Sequence, residues 1–348
     1  MSKKDHKSSK PTRRATIKSV AQRAGVTITT VSRALNNKPD ISPATKARIL
    51  AIAEEMGYVP STLARNLAAQ RTYTIGLAVR TIADMWVAEV VPAIEDGLRE
   101  TGYGVFLSTH YLNAERERQA VKAFHGQQVE GIIVISSVLQ GEYLSLQQEW
   151  GTPIVLIGPL MDTTHPYTVQ SDDEGGVRLA TEHLISLGHR RIGHIGVPDW
   201  VIRAQERLKG YRHALQRNGI PYEPSLIVPG DAHQEGGYQG IRDLLSLPQP
   251  PTAVVCFNDL TAIGVLRGAH AAGVRVPKDL AVIGFDDVPM ARFVEPPLST
   301  VRQNTPAIGQ QALAMLLDLI NDKERSIAPV ILPTELVVRE TSAPTPTR

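Results

Sequence analysis

Cysteine is almost absent from this chain of 348 residues, and its hydrophobic runs are short. The single cysteine, Cys256, excludes an internal disulfide framework and any zinc site built from several cysteines. Apolar runs such as residues 131–135 fall well short of the roughly 18 residues that a membrane-spanning helix needs. No apolar stretch follows the polar, basic first 14 residues, so the sequence predicts no secretory signal peptide, no membrane partner and a cytoplasmic protein.

Motifs that are typical of enzymes and metal sites are missing as well. The sequence contains no dinucleotide-binding, phosphate-loop or nucleophile-elbow pattern. The acidic run 172–176 lacks the alternating oxygen ligands of a calcium loop, and His183, His189 and His194 have no carboxylate-rich partner run. We therefore expect no metal, no cofactor and no catalytic residues. An α/β enzyme is the alternative, and turnover assays on sugar substrates would detect it.

The charge of the chain is unevenly distributed. Residues 1–72 carry 14 Lys and Arg against 4 Asp and Glu, whereas the remainder carries 23 basic and 31 acidic residues. The formal net charge of +2 therefore hides a head of +10 and a body of −8. A basic head on an acidic body indicates a polyanionic partner for the head alone.

The head has the pattern of three short helices. Residues 1–14 contain nothing that can be buried, which predicts a disordered basic arm. Apolar residues then recur at helical spacing, Gly25 allows a tight turn, and the pair Ser42-Pro43 begins a third helix. This order predicts a helix-turn-helix domain over residues 15–59. The expected buried residues are Ile17, Val20, Ala21, Ala24, Val31, Leu35, Ile49, Ile52, Ala53 and Met56.

The second helix of such a domain enters the major groove of DNA, and its early residues meet base edges. Thr29 and Ser32 are short enough for close approach, and Arg33 can reach guanine or a phosphate. A helical bundle that binds protein is the alternative interpretation. The only aromatic residue of the head, Tyr58, argues against single-stranded nucleic acid, which binds on stacked aromatic platforms.

Residues 60–72 form a linker with helical features. Leu63 and Leu67 lie one turn apart, but a helix of about nine residues is unstable alone in water. The segment is therefore a conditional helix. Three fates remain open for its leucines: a wedge in the minor groove of DNA, a seam between two chains, or packing on the body.

Short apolar runs alternate with amphipathic segments from residue 73 to 340, which predicts parallel sheets with helices on both faces. So many units favour two similar lobes, about 73–171 with 302–325 and about 172–301 with 326–340. Residues 341–348 are expected to be a disordered tail. The predicted strands are 74–79, 104–108, 131–135, 154–157, 192–195, 253–257 and 281–285. The predicted helices are 87–101, 113–127, 174–187, 204–218, 235–246, 259–272 and 306–321.

Polar and aromatic residues follow several of the predicted strands. Trp200, Asn258 and Asp286 lie at or just after strand ends, where open parallel sheets bind ligands. A carboxylate, a guanidinium and an amide near two tryptophans suit a polyhydroxylated ring. The alternatives are structural: Asp286 as a turn residue or helix cap, Trp200 as a surface residue, and Arg207 as a charge on a helix face.

Several ordered motifs resemble the lactose-repressor (LacI/GalR) family. In the head they are ATIKSVAQRAGVTITTVSRALN at 15–36 and MGYVPSTLARNL at 56–67. In the body they are GHRRIG at 188–193, RLKGY at 207–211, PTAVVCFND at 251–259 and VIGFD at 282–286. The resemblance covers some 325 residues. It implies a dimeric transcription regulator in which a helix-turn-helix head and a hinge helix precede a core like that of periplasmic binding proteins.

The resemblance also assigns residues. It implies that Thr29 and Arg33 read bases, that Leu67 is the minor-groove wedge, and that residues 61–69 fold into the hinge helix on operator DNA. It further implies that Arg207 binds the ligand with Asp286 as its acidic partner. The full expected DNA-contact set is Thr16, Ile28, Thr29, Thr30, Ser32, Arg33, Asn36, Tyr58, Ser61, Ala64, Leu67 and Ala68. The full expected effector set is Trp86, Asp172, Trp200, Arg207, Asn258 and Asp286.

Together these features predict a ligand-responsive repressor of carbohydrate uptake or metabolism genes, associated with the nucleoid. It would bind a palindromic operator in double-stranded DNA as a homodimer, with a sugar as effector. The absence of a C-terminal leucine heptad gives no support for a tetramer. One alternative keeps the architecture but has a purine or nucleoside as effector. A solute-binding protein, the second alternative, would need a signal peptide and no DNA-binding head.

Overall fold

The computed structural model describes residues 15–59, 71–99, 101–139, 141–159, 165–198, 201–322 and 327–342. The predictions for the basic arm, for Trp200 and for the hinge residues Ser61, Ala64, Leu67 and Ala68 lie outside these residues. The chain divides into two compact units, Met1–Thr72 and Tyr73–Arg348.

The first unit contains the three predicted helices, α1 (Ile17–Ala24), α2 (Ile28–Leu35) and α3 (Pro43–Glu55). Thr16 begins α1 by accepting a hydrogen bond from the Ser19 amide at 3.2 Å, and Gly25 ends it in a left-handed conformation with φ 65°. The buried face of α2 differs slightly from the prediction. Ala34 is fully buried beside Val31, whereas the longer Leu35 is only partly covered.

The described residues of the second unit form two six-stranded sheets, each covered by helices on both faces. The strands are β1 (Thr74–Val79), β2 (Gly104–Thr109), β3 (Gly131–Ile135), β4 (Ile154–Ile157), β5 (Thr168–Ser171), β6 (Ile192–Gly196), β7 (Ile227–Pro229), β8 (Ala253–Cys256), β9 (Ala281–Asp286), β10 (Ser299–Arg302), β11 (Val330–Leu332) and β12 (Glu335–Val337). The first sheet has the order β11-β5-β4-β3-β1-β2 and is parallel throughout. The second has the order β12-β10-β9-β8-β6-β7 and is parallel except for its edge strand β12.

The helices divide between the two lobes that these sheets define. In the first lobe, α4 (Val87–Leu98) and α11 (Thr305–Asn321) share one hydrophobic core with the sheet. Its other face carries α5 (Ala114–Gly126) and α6 (Glu142–Trp150). In the second lobe the helices are α7 (Asp173–Ser186), α8 (Ile202–Arg217), α9 (Gln234–Leu245) and α10 (Asp259–Ala271). Continuous burial of strands such as β3 is typical of parallel sheets with both faces covered.

Between its described strands, the chain passes from one lobe to the other three times, after β5, after β10 and between β11 and β12. The third crossing corrects the predicted lobe boundary. Val330–Leu332 pairs with β5 and belongs to the first sheet, although residues 326–340 were expected in the second lobe. The crossing lies near Thr334, whose hydroxyl donates to the Asp172 carbonyl at 3.2 Å.

The tail was predicted to be disordered from residue 341 onward, which is wrong for its first two residues. Thr341 and Ser342 are buried, and the Thr341 carbonyl accepts from the Val282 amide at 2.9 Å. The Thr341 hydroxyl returns a hydrogen bond to the Val282 carbonyl at 2.7 Å. These two residues therefore extend the second lobe. Among the described residues, no helix is long and apolar enough to cross a membrane.

Candidate DNA interface and effector cavity

The outer face of α2 presents a polar stripe. Ile28, Thr29 and Arg33 are exposed, and Ser32 is half-buried between them. This face lies opposite Val31 and Ala34, which pack into the core of the head. The Thr27 side chain caps the helix by accepting a hydrogen bond from the Thr30 amide at 3.2 Å. The side chains of Ile28 and Thr29, in the first turn, point outward.

Arg33 already has a partner within the head. Its Nε lies 2.6 Å from Asp40 Oδ2, and both side chains are about half exposed. The guanidinium lowers the pKa of the Asp40 carboxyl through this hydrogen bond. A phosphate or a guanine that binds Arg33 therefore competes with an aspartate of the same head.

The remaining described residues of the expected DNA-contact set have local structural contacts. Thr16 is an exposed N-cap, and the Thr30 hydroxyl lies 2.9 Å from the Thr27 hydroxyl. Asn36 is exposed and donates from Nδ2 to the Ser32 carbonyl at 2.9 Å. Tyr58 is half-buried and packs against the core of the head. These contacts place the side chains at the surface without assigning them to DNA.

A cavity of about 640 Å³ lies in the cleft between the lobes of the second unit. The first lobe contributes Trp86 and Ser136, and the second contributes Phe257 and Asn258. Loops that follow the carboxyl ends of strands form the walls, as expected for a ligand site in parallel sheets. Of the predicted effector residues, the cavity is lined by Trp86, Arg207, Asn258 and Asp286.

Arg207 is more deeply buried than a ligand-facing helix charge would be, with a side chain only 2% exposed. Its guanidinium lies between the rings of Phe257 and Phe285, with Cζ 4.6 and 3.7 Å from their centroids. Its Nε donates to Asp173 Oδ1 at 2.8 Å, and Nη2 lies 3.5 Å from Asp286 Oδ1. The arginine therefore holds the neighbouring carboxylates and rings in place as well as lining the cavity.

Asp286 lies at the end of β9 with a backbone conformation that favours glycine or asparagine, φ 115°. Its Oδ1 accepts from Gln303 Nε2 at 2.6 Å. Burial raises the pKa of this carboxyl to about 6, although the neighbouring Arg207 acts in the opposite direction. Strained backbone and a perturbed carboxyl at a cavity wall are common features of functional sites.

Asn258 and Asp172 both cap helices. The Oδ1 of Asn258 accepts from the Thr261 amide at 2.9 Å at the start of α10, and its Nδ2 donates to the Ala232 carbonyl at 3.0 Å. Asn258 nevertheless lines the cavity. Asp172 accepts from the Gly175 amide at 2.7 Å at the start of α7 and is not among the residues that line the cavity. The Asp172 carboxylate is therefore engaged as a helix cap, and its contact with the effector stays a prediction.

The indole ring of Trp86 stacks on a cation of the second lobe. The guanidinium of Arg203, on α8 of the second lobe, lies over its ring at 4.8 Å. Trp86 is only 6% exposed. Among the described residues, neither Trp86 Nε1 nor Arg203 Nη2 has a hydrogen-bond partner, although both atoms are buried. Arg203 thus bridges the lobes and covers one face of the ring.

Sequence reasoning missed several residues of this cavity. Arg203 and Asp173 were not singled out, and neither were Arg80 and Asp84, which form an ion pair at its edge. The four-residue spacing of Arg203 and Arg207 on α8 was an available signal, since such residues share a helix face. No set of three His, Cys, Asp or Glu side chains within the described ranges is arranged to hold a metal ion.

Comparison with known proteins identifies both units. Residues 16–61 match the family model described as bacterial regulatory proteins, lacI family, and residues 181–342 match that of a periplasmic binding protein-like domain. The chain is 34% identical to the HTH-type transcriptional repressor CytR of Escherichia coli K12 over 325 residues, which cover 93% of this chain and 95% of CytR. The chain belongs to the lacI family of bacterial regulatory proteins. It is a DNA-binding transcriptional regulator, as the first interpretation of the sequence predicted.

Solved structures of lacI-family members support the same fold. The lac repressor dimer bound to operator and the anti-inducer ONPF superposes with a TM-score of 0.88 at 30% identity, over 95% of this chain and 99% of that one. A complex of the regulator CelR with cellobiose superposes with a TM-score of 0.72 at 33% identity, over 94% of this chain and 100% of that one. The predicted fold class, a helix-turn-helix head with a two-lobed parallel-sheet core, is confirmed.

Proposed function

We propose that this lacI-family regulator represses genes for the uptake or breakdown of a carbohydrate, and that a sugar in the cleft controls its affinity for the operator. The observation that carries this proposal is the cavity between the lobes, where Asp286, Arg207 and Asn258 converge beside aromatic rings. Polar groups that converge among apolar walls suit a polyhydroxylated ring. The cellobiose complex of CelR adds support, because that relative binds a sugar.

The head would bind DNA through the outer face of α2. In this proposal Thr29, Ser32 and Arg33 meet base edges in the major groove, and Ile28 packs on a thymine methyl group. Two chains would form a homodimer, so that two heads meet two half-sites of a near-palindromic operator. The linker would supply the hinge helix on operator DNA, with Leu67 as the minor-groove wedge. Thr16, Thr30, Asn36, Tyr58, Ser61, Ala64 and Ala68 complete the proposed contact set.

Ligand binding would be coupled to DNA binding through the movement of the lobes. A ligand that closes the cleft would change the spacing of the first lobes in the dimer, and with it the pairing of the hinge segments. Ligand and operator must then change each other's affinity by the same factor. As a repressor of bacterial genes, the protein would act on the nucleoid in the cytoplasm.

Thermal unfolding of the full chain against a ligand panel tests the effector class. The panel contains mono- and disaccharides, purines and nucleosides. A ligand at 100 times its Kd stabilises the folded state by about 2.7 kcal/mol, which gives a clear shift. A shift with one sugar supports the proposal. A shift only with purines or nucleosides overturns the carbohydrate assignment and keeps the regulator, and no shift with any member contradicts both effector classes.

A further inference from the structure

The three described arginines that line the cavity all have carboxylate partners within the protein. Arg80 is paired with Asp84 in the first lobe. Arg203 and Arg207, in the second lobe, share Asp173. The cavity is therefore not an open cationic pocket, although three guanidinium groups surround it.

Asp173 bridges the two arginines of α8. It is the first residue of α7 and is 3% exposed. Its Oδ2 accepts from Arg203 Nη1 at 2.7 Å, and its Oδ1 accepts from Arg207 Nε at 2.8 Å. These two charge-assisted hydrogen bonds are stronger than hydrogen bonds between neutral groups. Asp173 is not among the residues that line the cavity, so it neutralises both guanidinium groups from behind the cavity wall.

Further carboxylates oppose the entry of an anion. Asp231 and Asp286 also line the cavity, and Asp84 lies at its edge. With Asp173 behind the arginines, four carboxylates face three guanidinium groups. A phosphorylated ligand would have to approach this group of carboxylates, and charge repulsion in a partly buried site is only weakly screened by salt.

Two buried hydrogen-bond donors beside the cavity have no acceptor within the described part of the chain. Arg203 Nη2 and Trp86 Nε1 are buried donors with no acceptor among the described residues. They belong to side chains that stack on each other, so they lie at the same end of the cavity. A buried donor without an acceptor destabilises the folded state. Both atoms are closed off from solvent, so a neutral ligand oxygen that accepts from them must first separate the stacked Arg203 and Trp86 side chains.

We propose that Asp173 determines the specificity of the cavity: as a built-in counter-ion of Arg203 and Arg207, it selects uncharged ligands with acceptor oxygens and excludes their phosphorylated forms. This inference rests on the proposed function, because it takes the cavity as the effector site. It predicts that removal of the Asp173 carboxylate converts the arginine pair into an anion site.

Chemical rescue of Asp173→Ala by inorganic phosphate tests the inference without knowledge of the effector. Thermal unfolding of the full chain is measured in sodium phosphate and in sodium chloride of equal ionic strength. Asp173→Ala is expected to melt below the wild type in chloride and to gain roughly 3 °C or more in phosphate. The wild type should show only the general stabilisation that phosphate gives to folded proteins, and the double variant Asp173→Ala/Arg203→Ala should lose the additional gain.

Glu174→Ala is the matched control. Glu174 follows Asp173 on α7 and binds Lys209 and His213 of α8 at 2.6 and 2.7 Å, but these partners lie outside the cavity and are about half exposed. Its removal frees two cationic groups at the surface and should produce no phosphate rescue. Equal rescue in both variants would overturn the inference, because it would show a general response of the helix pair.

If Asp173→Ala does not fold, thermal unfolding of the wild type in phosphate tests the inference instead. Phosphate-specific stabilisation of the wild type that Arg203→Ala abolishes would show that the cavity accepts anions and would overturn the inference. The absence of such stabilisation supports the inference.

Pairs of neutral and phosphorylated ligands separate the role of Asp173 from the effector assignment. The pairs are glucose and glucose 6-phosphate, ribose and ribose 5-phosphate, and adenosine and AMP. A phosphate ester that binds more tightly than its neutral partner overturns the role of Asp173, whereas failure of every pair contradicts the effector assignment alone.

Discussion

Gln303 joins the effector cavity to the crossings between the lobes. Its Nε2 donates to Asp286 Oδ1 at 2.6 Å, and its Oε1 accepts from the hydroxyl of Ser171. Gln303 follows β10, and Ser171 ends β5, so the amide touches two of the three crossings. A ligand that rearranges Asp286 therefore acts on the segments that must bend when the lobes move.

Gln303→Met should uncouple the ligand from DNA. The change keeps the size of the side chain but removes both hydrogen bonds. We expect ligand affinity to change by less than about fivefold, while the effect of the ligand on operator affinity falls by about tenfold, which is roughly 1.4 kcal/mol of coupling. Fluorescence anisotropy of labelled operator with and without the ligand measures this effect.

The control for this variant is Gln239→Met. Gln239 is an exposed glutamine on α9 that donates to Asp243 at 2.7 Å, away from the crossings. It should keep the full response. Undiminished coupling in Gln303→Met would show that the amide does not transmit the signal.

Asp40→Asn should strengthen binding to DNA. The change releases Arg33 from its partner at 2.6 Å and removes a negative charge beside the proposed DNA-binding face. We expect tighter binding to non-specific duplexes at low salt, by several-fold, with a salt dependence that is steeper by about one released counterion. Titrations at several salt concentrations measure the slope. Asp279→Asn, which breaks the exposed Arg275 pair of the core, is the control and should leave both quantities unchanged.

The stability of the protein should fall between about pH 4 and pH 6 because of Asp286. Burial raises the pKa of this carboxyl from 3.8 to about 6, so in this window the folded protein keeps a proton that the unfolded chain has released. The contribution is complete below pH 4 and is lost as the pH rises through about 6. Asp286→Asn removes this pH-dependent contribution. Across the window, the free energy of unfolding of the variant should therefore rise by roughly 2 kcal/mol relative to that of the wild type. Urea unfolding at pH 4.5 and 7 gives this difference, and a constant difference would rule out the raised pKa.

Glu117 should be essential to the first lobe. This fully buried carboxylate on α5 accepts from the Ser137 and Tyr143 hydroxyls at 2.5 and 2.6 Å and from the Val138 amide at 2.9 Å. Glu117→Ala removes the buried acceptor of the Tyr143 hydroxyl and the Val138 amide, and should lower the free energy of unfolding by about 3 kcal/mol or more. Urea denaturation measures the loss. Glu115→Ala, on the exposed side of the same helix, should cost less than about 1 kcal/mol, and equal losses would contradict the role of Glu117.

The long, apolar elements of the core could be predicted from the sequence. All seven predicted strands are present, with ends that differ by at most one residue, because buried parallel strands are continuous apolar runs. The missed strands have only three or four residues each, and Thr168–Ser171 and Ser299–Arg302 also mix polar with apolar residues. Pairing with neighbours, rather than composition, makes them strands.

The cavity could be predicted only in part. Asn258 and Asp286 follow apolar runs and were found for that reason. The pairing of Arg203 with Asp173, and the stacking of Arg203 on Trp86, join residues 30 and more than 100 positions apart. Such contacts depend on how α7 packs against α8 and how the lobes meet, which sequence spacing does not show.

Selection of DNA from a random duplex library by the full chain, followed by ligand titration on the selected site, tests the central claim most directly. The account predicts enrichment of a near-palindromic site with two half-sites. It also predicts that the panel ligand that stabilises the protein changes the affinity for this site by at least about tenfold. A failure to enrich any sequence, or an affinity that no stabilising ligand alters, would contradict a ligand-controlled regulator.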